Sequence, residues 1–479
     1  MKIYFQFIWL VAALLVAGCV PNERFWWSPD GSRAAVVIDH RLHLADETGA
    51  IVESLPVEGS THKSALVEGV DWLPDGDGFV TSRIRAFSQW ADARPLLSDE
   101  EAGRIEALSQ GMPGLLEAAV LLGGDAENPA ALLERVSSDE TAAARNAFLL
   151  ALERQPELVR ESLKDAPKAR AGLEDAGAYL VHELALIRLA GTETSPRTEI
   201  LLSSIEAVAS PRVSPRFPVV AYGRREASGP LVAVKLLSLE GKEPAAALEE
   251  VHESFGWSAD GRSLVFMVPL AKDTGLLKHL RKTTVLDGSG NRIGRKERET
   301  DNLATTVVPF APRLDVLPDG RILFASQTGS IPVSAAETPH EAHLYTVAAT
   351  GGVAVRIPTA PGALPMDLGH FVASPDGRLA AVVESETDAV AVVDLESGET
   401  EIISPSHPGW QCRTLPNWKS AKELSFAALN DSTGEIEWKL WTRRGGTKPL
   451  GKDWPEGATD GWLAKKDPKE SAGVPPSTN

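Results

Sequence analysis

Short apolar segments that flank a proline–aspartate–glycine turn recur along the chain. In the first copy the apolar segment 25–27 precedes the turn and the apolar segment 34–37 follows it. Such a pattern predicts a β-hairpin: a short strand, a tight turn and a buried strand. Five copies are clear, and their turn positions are Pro29, Asp30, Gly31, Pro74, Asp75, Gly76, Asp260, Gly261, Pro318, Asp319, Gly320, Pro375, Asp376 and Gly377.

The turn residues suit the backbone that a hairpin needs. Proline presets φ for a type I turn, aspartate bonds nearby backbone, and glycine takes the left-handed closing position. Ala259 replaces the proline in one copy, and degenerate copies lie at Pro215 and Pro416. Successive copies are 41 to 59 residues apart, except for a step of 141 between Pro74 and Pro215. A further strand pattern follows most copies, so each repeat predicts a unit of about four strands.

These repeats resemble the WD40-like PD40 repeats of TolB-type proteins over residues 25–450, outside the long step. The resemblance implies an all-β fold, a β-propeller of four-stranded antiparallel blades. Counting the degenerate copies gives seven blades, with six or eight left open. One way to close the ring is to pair an early strand with the final blade, which would remove an exposed sheet edge. The motif is specific for the fold and says nothing about chemistry.

The long step predicts an α-helical insertion at 98–176 in blade two. This segment is rich in Ala, Leu and Glu, and residues 98–101 form a capping box that opens a helix. Pro113, Pro129, Pro156 and Pro167 suit first turns of helices, so we expect five or six short helices. Segment 179–189 is read as the third strand of blade two, or alternatively as a last helix. The insertion is either a docking module or a cap over a blade edge.

The N-terminus predicts export and a lipid anchor. A basic start, the apolar run 3–16 and the small residues before Cys19 resemble a bacterial lipoprotein signal peptide. The resemblance implies removal of 1–18 and a diacylglycerol on Cys19, with acyl chains of the palmitate type; an ordinary signal peptide or a membrane-spanning anchor is the alternative. The predicted domains are therefore 1–18 signal, 19–97 propeller, 98–176 insertion, 177–462 propeller and 463–479 disordered tail. The location is extracytoplasmic, at the cell membrane or the outer membrane.

The composition limits the classes of partner that the protein is expected to bind. The formal net charge of −18 disfavours nucleic acid and anionic lipid headgroups. With Cys19 lipidated, Cys412 has no disulfide partner and is expected to be a small buried residue. The charged segment 292–302 is expected to be a solvated surface loop.

Candidate chemistry is sparse. We find no Gly-x-Ser-x-Gly nucleophile frame and no phosphate-binding loop, and segment 288–290 is a simple turn. His40 with His43 and His340 with His343 are weak metal signals, so no metal and no cofactor are predicted. Of the 12 tryptophans, Trp26, Trp27, Trp72 and Trp257 precede the turns, and at least some of these are expected to pack between blades. A minority of the tryptophans could instead line a binding face. Trp90, beside the insertion, is the first residue to test for partner contact, although local packing is the favoured interpretation.

The sequence therefore predicts a non-catalytic, lipid-anchored propeller of the cell envelope that binds or scaffolds an envelope protein of unknown identity. Two alternatives stay open. One is an enzyme, a lyase or a hydrolase, with its active site in the propeller channel. The other is a sensor of a small envelope ligand.

Overall fold

The structure is a computed structural model that describes seventeen segments of the chain. These are residues 25–38, 41–55, 66–121, 141–167, 170–171, 178–189, 196–225, 231–240, 245–270, 277–307, 313–327, 342–359, 371–383, 389–403, 410–412, 416–430 and 436–451. The chain divides into two compact units. One comprises Met1–Asp39, Ala45–Ile51 and Ile357–Asn479, and the other comprises His40–Leu44 and Val52–Arg356.

Blades one, six and seven are antiparallel sheets with consecutive strand order, except at the inner edge of blade seven. Blade one consists of β1 (Phe25–Trp27), β2 (Arg33–Ile38), β3 (Arg41–Asp46) and β4 (Ile51–Leu55). Blade six consists of β21 (Phe371–Ala373), β22 (Leu379–Val383), β23 (Val390–Asp394) and β24 (Thr400–Ile403). In blade seven two short inner strands pair with one long strand; its strands are β25 (Trp410–Cys412), β26 (Asn417–Ser420), β27 (Glu423–Asn430), β28 (Ile436–Thr442) and β29 (Gly446–Pro449).

Blades two to five belong to the second unit and are four-stranded meanders. Blade two consists of β5 (Leu66–Trp72), β6 (Gly78–Phe87), β7 (Tyr179–Arg188) and β8 (Arg197–Ser204). Blade three consists of β9 (Ala207–Val213), β10 (Val219–Arg225), β11 (Leu231–Ser238) and β12 (Ala245–His252). Blade four consists of β13 (Phe255–Trp257), β14 (Ser263–Pro269), β15 (Leu277–Thr284) and β16 (Thr300–Val307). Blade five consists of β17 (Leu314–Val316), β18 (Ile322–Gln327), β19 (Ala342–Val347) and β20 (Val355–Arg356).

The seven sheets are the blades of a β-propeller, so the predicted fold class is confirmed. Segment 179–189 is a strand, as predicted: β7 pairs with β6 from Gly78 opposite Arg188 to Phe87 opposite Tyr179. Helices lie between these two strands, which confirms the insertion in blade two.

The ends of the repeat region do not share a sheet. In the described residues β1 pairs with β2 of blade one, and blade seven is built only from residues 410–449. Side chains join these two blades instead: the rings of Phe25 and Trp438 lie 5.4 Å apart, and Trp27 Nε1 donates to Ser425 Oγ at 3.0 Å. The strand-exchange closure is therefore wrong, because β29, after the turn at 443–445, already fills the outer position of blade seven.

The repeated turn has the same geometry in each clear copy. Its glycine takes φ between 68° and 86°, at Gly31, Gly76, Gly261, Gly320 and Gly377. At Gly261 the amide donates to Ser258 O at 2.7 Å, and Asp260 accepts from the Arg262 amide at 3.1 Å. Short-range hydrogen bonds of the aspartate and the glycine therefore define this turn, even in the copy in which Ala259 replaces the proline.

Tryptophans just before the turns join neighbouring blades, as predicted. Trp257 Nε1 donates to Arg212 O on the inner strand of blade three at 2.8 Å. Trp418 Nε1 donates to Val372 O on the inner strand of blade six at 2.9 Å. Each indole is buried, so it contributes apolar area and also satisfies its own polar atom.

Two of three local expectations are wrong, those for Pro416 and Pro113. In the last copy the turn lies between Ser420 and Glu423, so Pro416 is not at the turn; Trp418 occupies the place that Trp27 has in the first copy. Segment 292–302 is exposed at most positions, as expected, and Arg298 within it donates to the carbonyls of Ala246 and Ala247 on blade three. Pro113 lies inside a helix rather than in its first turn.

In the described part of the chain, no helix has both the length and the apolar character needed to cross a membrane.

Candidate functional site at the helical insertion

The insertion joins the end of β6 to the start of β7. Its described helices are α1 (Trp90–Ala93), α2 (Asp99–Leu121), α3 (Thr141–Arg154) and α4 (Pro156–Ser162), with a 3-10 helix at Arg94–Leu96 between the first two. Ser98 caps α2, because its hydroxyl accepts the Glu101 amide at 3.2 Å. Pro156 begins α4, where a proline loses no helical hydrogen bond.

The insertion has a hydrophobic core of its own. Ile105, Met112 and Leu116 of α2 pack with Phe148 of α3, and the cluster continues to Phe87 and Tyr179 on the blade. Burying these side chains ties the helices to the ends of β6 and β7. The insertion is therefore a folded part of blade two.

Trp90 belongs to this core and is buried. Its Nε1 donates to Glu106 at 3.1 Å, and its ring lies 5.5 Å from that of Tyr179. Glu153 accepts the Trp90 amide at 3.2 Å and the Tyr179 hydroxyl at 2.6 Å. Burial and this hydrogen bond raise the pKa of Tyr179. Of the two interpretations of Trp90, local packing is the one that the structure supports.

Polar side chains connect the insertion to the segment between blades two and three. Ser204 Oγ donates to Glu101 at 2.7 Å. Glu206 accepts from Arg224 of blade three and forms an ion pair with Arg104 of α2 at 3.5 Å. Burial opposes ionisation of Glu206, but the two arginines outweigh it and lower its pKa. These contacts fix α2 to two blades at once.

A buried cluster of charged side chains lies on β6 and β7, next to the ends that carry the insertion. Arg83 Nε donates to one oxygen of Glu183 at 2.8 Å, and Arg85 Nη1 donates to the other at 2.9 Å. The side chain of Glu183 is fully buried, and those of Arg83 and Arg85 are 6% and 9% exposed. Arg85 also lies over the Phe87 ring, 4.9 Å from its centroid. We call these three charged residues the Arg83–Arg85–Glu183 triad.

His182 lies beside the triad in the sequence but on the opposite face of β7, because neighbouring residues of a strand point to opposite sides. It is buried, and burial together with the charge of Arg145 on α3 lowers its pKa to about 4. The imidazole is thus neutral at neutral pH.

In the described part of the chain, none of the residues singled out from the sequence belongs to this cluster. Cys19, His40, His340 and the tail 463–479 are outside the described residues, and Cys412 lies on β25. His43 is buried and hydrogen-bonded to Ser54 at 2.9 Å. In blade two the turn at Gly76 joins β5 to the start of β6, whereas the insertion follows the other end of β6. Among the described residues no group of three or more His, Cys, Asp or Glu could hold a metal ion.

Sequence reasoning missed the triad. Its signal is present: Arg83 and Arg85 occupy alternate positions of an apolar strand, and Glu183 interrupts another. Period-two spacing places both arginines on one face. Only the pairing of β6 with β7, across the whole insertion, brings Glu183 opposite Arg83.

The sequence matches no protein-family model and no curated protein. It is similar in structure to TolB from Acinetobacter baumannii, with 17% identity and a TM-score of 0.38, over 57% of this chain and 61% of TolB. The β-propeller domain of the Trilobed protease from Pyrococcus furiosus has 15% identity and a TM-score of 0.39, over 58% of this chain and 77% of that domain. Oligogalacturonate lyase from Vibrio parahaemolyticus has 12% identity and a TM-score of 0.40, over 79% of this chain and 75% of the lyase. These similarities concern the propeller fold alone.

Proposed function

We propose that this chain is a non-catalytic, lipid-anchored, extracytoplasmic β-propeller that binds a protein of the cell envelope through its helical insertion. The observation that carries the proposal is the construction of the insertion. It has its own core and is fixed by Glu101 and Glu206 to the blades beneath it. A rigid element of this kind presents a surface without the entropy cost of ordering a loop on binding.

The outward side of the insertion offers apolar contacts. Leu158 of α4 is 52% exposed and Leu115 of α2 is 39% exposed, although large apolar residues nearby are buried in the core. A cap over the end of blade two needs only the inward face, which covers Phe87 and Tyr179. The exposed leucines are additional to that role and suit the centre of a protein contact.

The non-catalytic part of the proposal is supported by how the carboxylates of this region are used. Glu183 gives one oxygen to each of two arginines, and Glu153 accepts from Trp90 and Tyr179. These carboxylates hold strands and helices together.

Partner binding can be tested by affinity capture of the full-length tagged protein from membranes, compared with Leu158→Lys. We expect the variant to lose the specific partner while keeping the thermal stability of the wild type. Ile402→Lys is the matched control, because Ile402 is 50% exposed and belongs to β24 of blade six, which is not part of the insertion. Equal capture by all three proteins would contradict the proposal.

The lipid anchor is a separate part of the proposal and has its own test. Cells that express the full chain are fed radiolabelled palmitate, and Cys19→Ala is the control. We expect label on the wild type, none on the variant, and retention of residues 1–18 in the variant. An unlabelled wild type would refute the anchor and leave the insertion surface to be judged by the capture experiment.

A further inference from the structure

The Arg83–Arg85–Glu183 triad holds more positive than negative charge in a buried place. Two guanidinium groups share one carboxylate, and all three side chains are more than nine-tenths buried. Burying a charge is costly unless it is paired and hydrogen-bonded. Glu183 can neutralise one of the two arginines, so one positive charge remains uncompensated among the described residues.

The triad also leaves one hydrogen-bond donor unused. Arg85 Nε is buried and donates to none of the described residues. Arg83 donates to Glu183 through Nε, and Arg85 donates through Nη1. An unused donor on a buried guanidinium is unfavourable, since its hydration is lost without replacement. A group that accepts hydrogen bonds and carries negative charge would satisfy both deficits.

The orientation of the arginines is fixed in advance. Both project from the same face of β6, opposite to the face on which Val80 packs against blade three. Arg85 is held from one side by the Phe87 ring, which is part of the insertion core, and from another by Glu183. A preorganised guanidinium loses little entropy when it binds a planar anion.

We propose that Arg83 and Arg85 form a binding site for a small monoanion of the carboxylate class. A single excess charge matches a monoanion better than a phosphate dianion. The planar guanidinium fork matches the two oxygens of a carboxylate, and charge-assisted hydrogen bonds of this kind are the strong ones. The site gives the propeller a small-ligand function that is independent of partner binding by the insertion.

The test uses the full-length protein and sodium acetate as the probe. Thermal unfolding is followed in acetate and in chloride at equal ionic strength, and ¹³C-acetate saturation-transfer NMR reports binding directly. We expect a saturable rise in the unfolding temperature with acetate but not with chloride. Arg85→Gln is expected to weaken acetate binding at least tenfold, and Arg85→Lys, which keeps the charge but loses the fork, by a similar factor.

Arg225→Gln is the matched control, since Arg225 pairs with Glu253 at the surface of blade three and is expected to bind acetate as the wild type does. The titration of the wild type decides the question even if a variant does not fold. No saturable effect of acetate would overturn the proposal. Equal stabilisation by chloride would refute the carboxylate class, and unchanged binding by folded Arg85→Gln would refute the site.

Discussion

Glu183→Gln is the sharpest test of the physical reasoning about the triad. The change keeps the volume of the side chain and removes its charge. Arg83 and Arg85, held by this carboxylate at 2.8 Å and 2.9 Å, would then be two buried cations without a counter-charge. Breaking a buried ion pair by removing one partner costs about 3–5 kcal/mol. Because Glu183 serves two arginines, we expect the loss of unfolding free energy to lie toward the upper end of that range.

The measurement is urea denaturation followed by tryptophan fluorescence, in chloride buffer at neutral pH. Glu249→Gln is the matched control: Glu249 binds Arg295 through two bonds of 3.1 Å, but both side chains are exposed. We expect this control to change stability by no more than ~1 kcal/mol. If Glu183→Gln were as mild as the control, the premise that the triad carries a costly buried charge excess would be wrong.

Three further predictions concern the blades and the buried histidine. Trp257→Phe should lower the unfolding free energy by about 1–2 kcal/mol in urea denaturation, because the partly buried carbonyl of Arg212 loses the indole donor; no change would show that this bond is not needed. Gly261→Ala should lower the melting temperature, since φ is 68° and the new Cβ would lie 2.7 Å from a serine hydroxyl, whereas Gly288→Ala, with open space around it, should not; equal effects would contradict the turn argument. The pKa of His182 is lowered to about 4, against 6.5 in the unfolded chain. Between these pH values the unfolded chain binds a proton that the folded protein does not, so the free energy of unfolding is fully present above pH 6.5 and falls as the pH drops toward 4. His182→Gln should therefore flatten the pH dependence of the unfolding free energy in this range by up to ~1.4 kcal/mol per pH unit; an unchanged slope would refute the prediction.

The propeller could be predicted from the sequence because its repeated unit is local. Pro29, Asp30 and Gly31 specify their turn within a few residues, and the same turn recurs often enough to count the blades. The packing of the tryptophan before the turn could also be predicted, since a large apolar residue at that position contacts the neighbouring blade. The insertion was visible as a change from strand to helix composition.

What the sequence did not give depends on contacts between distant residues. The side-chain closure through Phe25 and Trp438 has no sequence signature beyond two aromatic residues. The triad requires β6 to pair with β7 across about 90 intervening residues, so Arg83 and Glu183 cannot be matched by spacing. Pro113 was misplaced because a proline inside a long helix and one in its first turn look alike when the helix boundaries are not known.

Site-specific photocrosslinking in cells tests the proposed binding surface most directly. A photoreactive residue is placed at Leu158 or, as the control, at Ile402 in the full-length protein; the two positions are almost equally exposed. We predict one discrete crosslinked protein from position 158 and none of that size from position 402. The absence of a crosslink at 158, or the same crosslinks at both positions, would contradict the account.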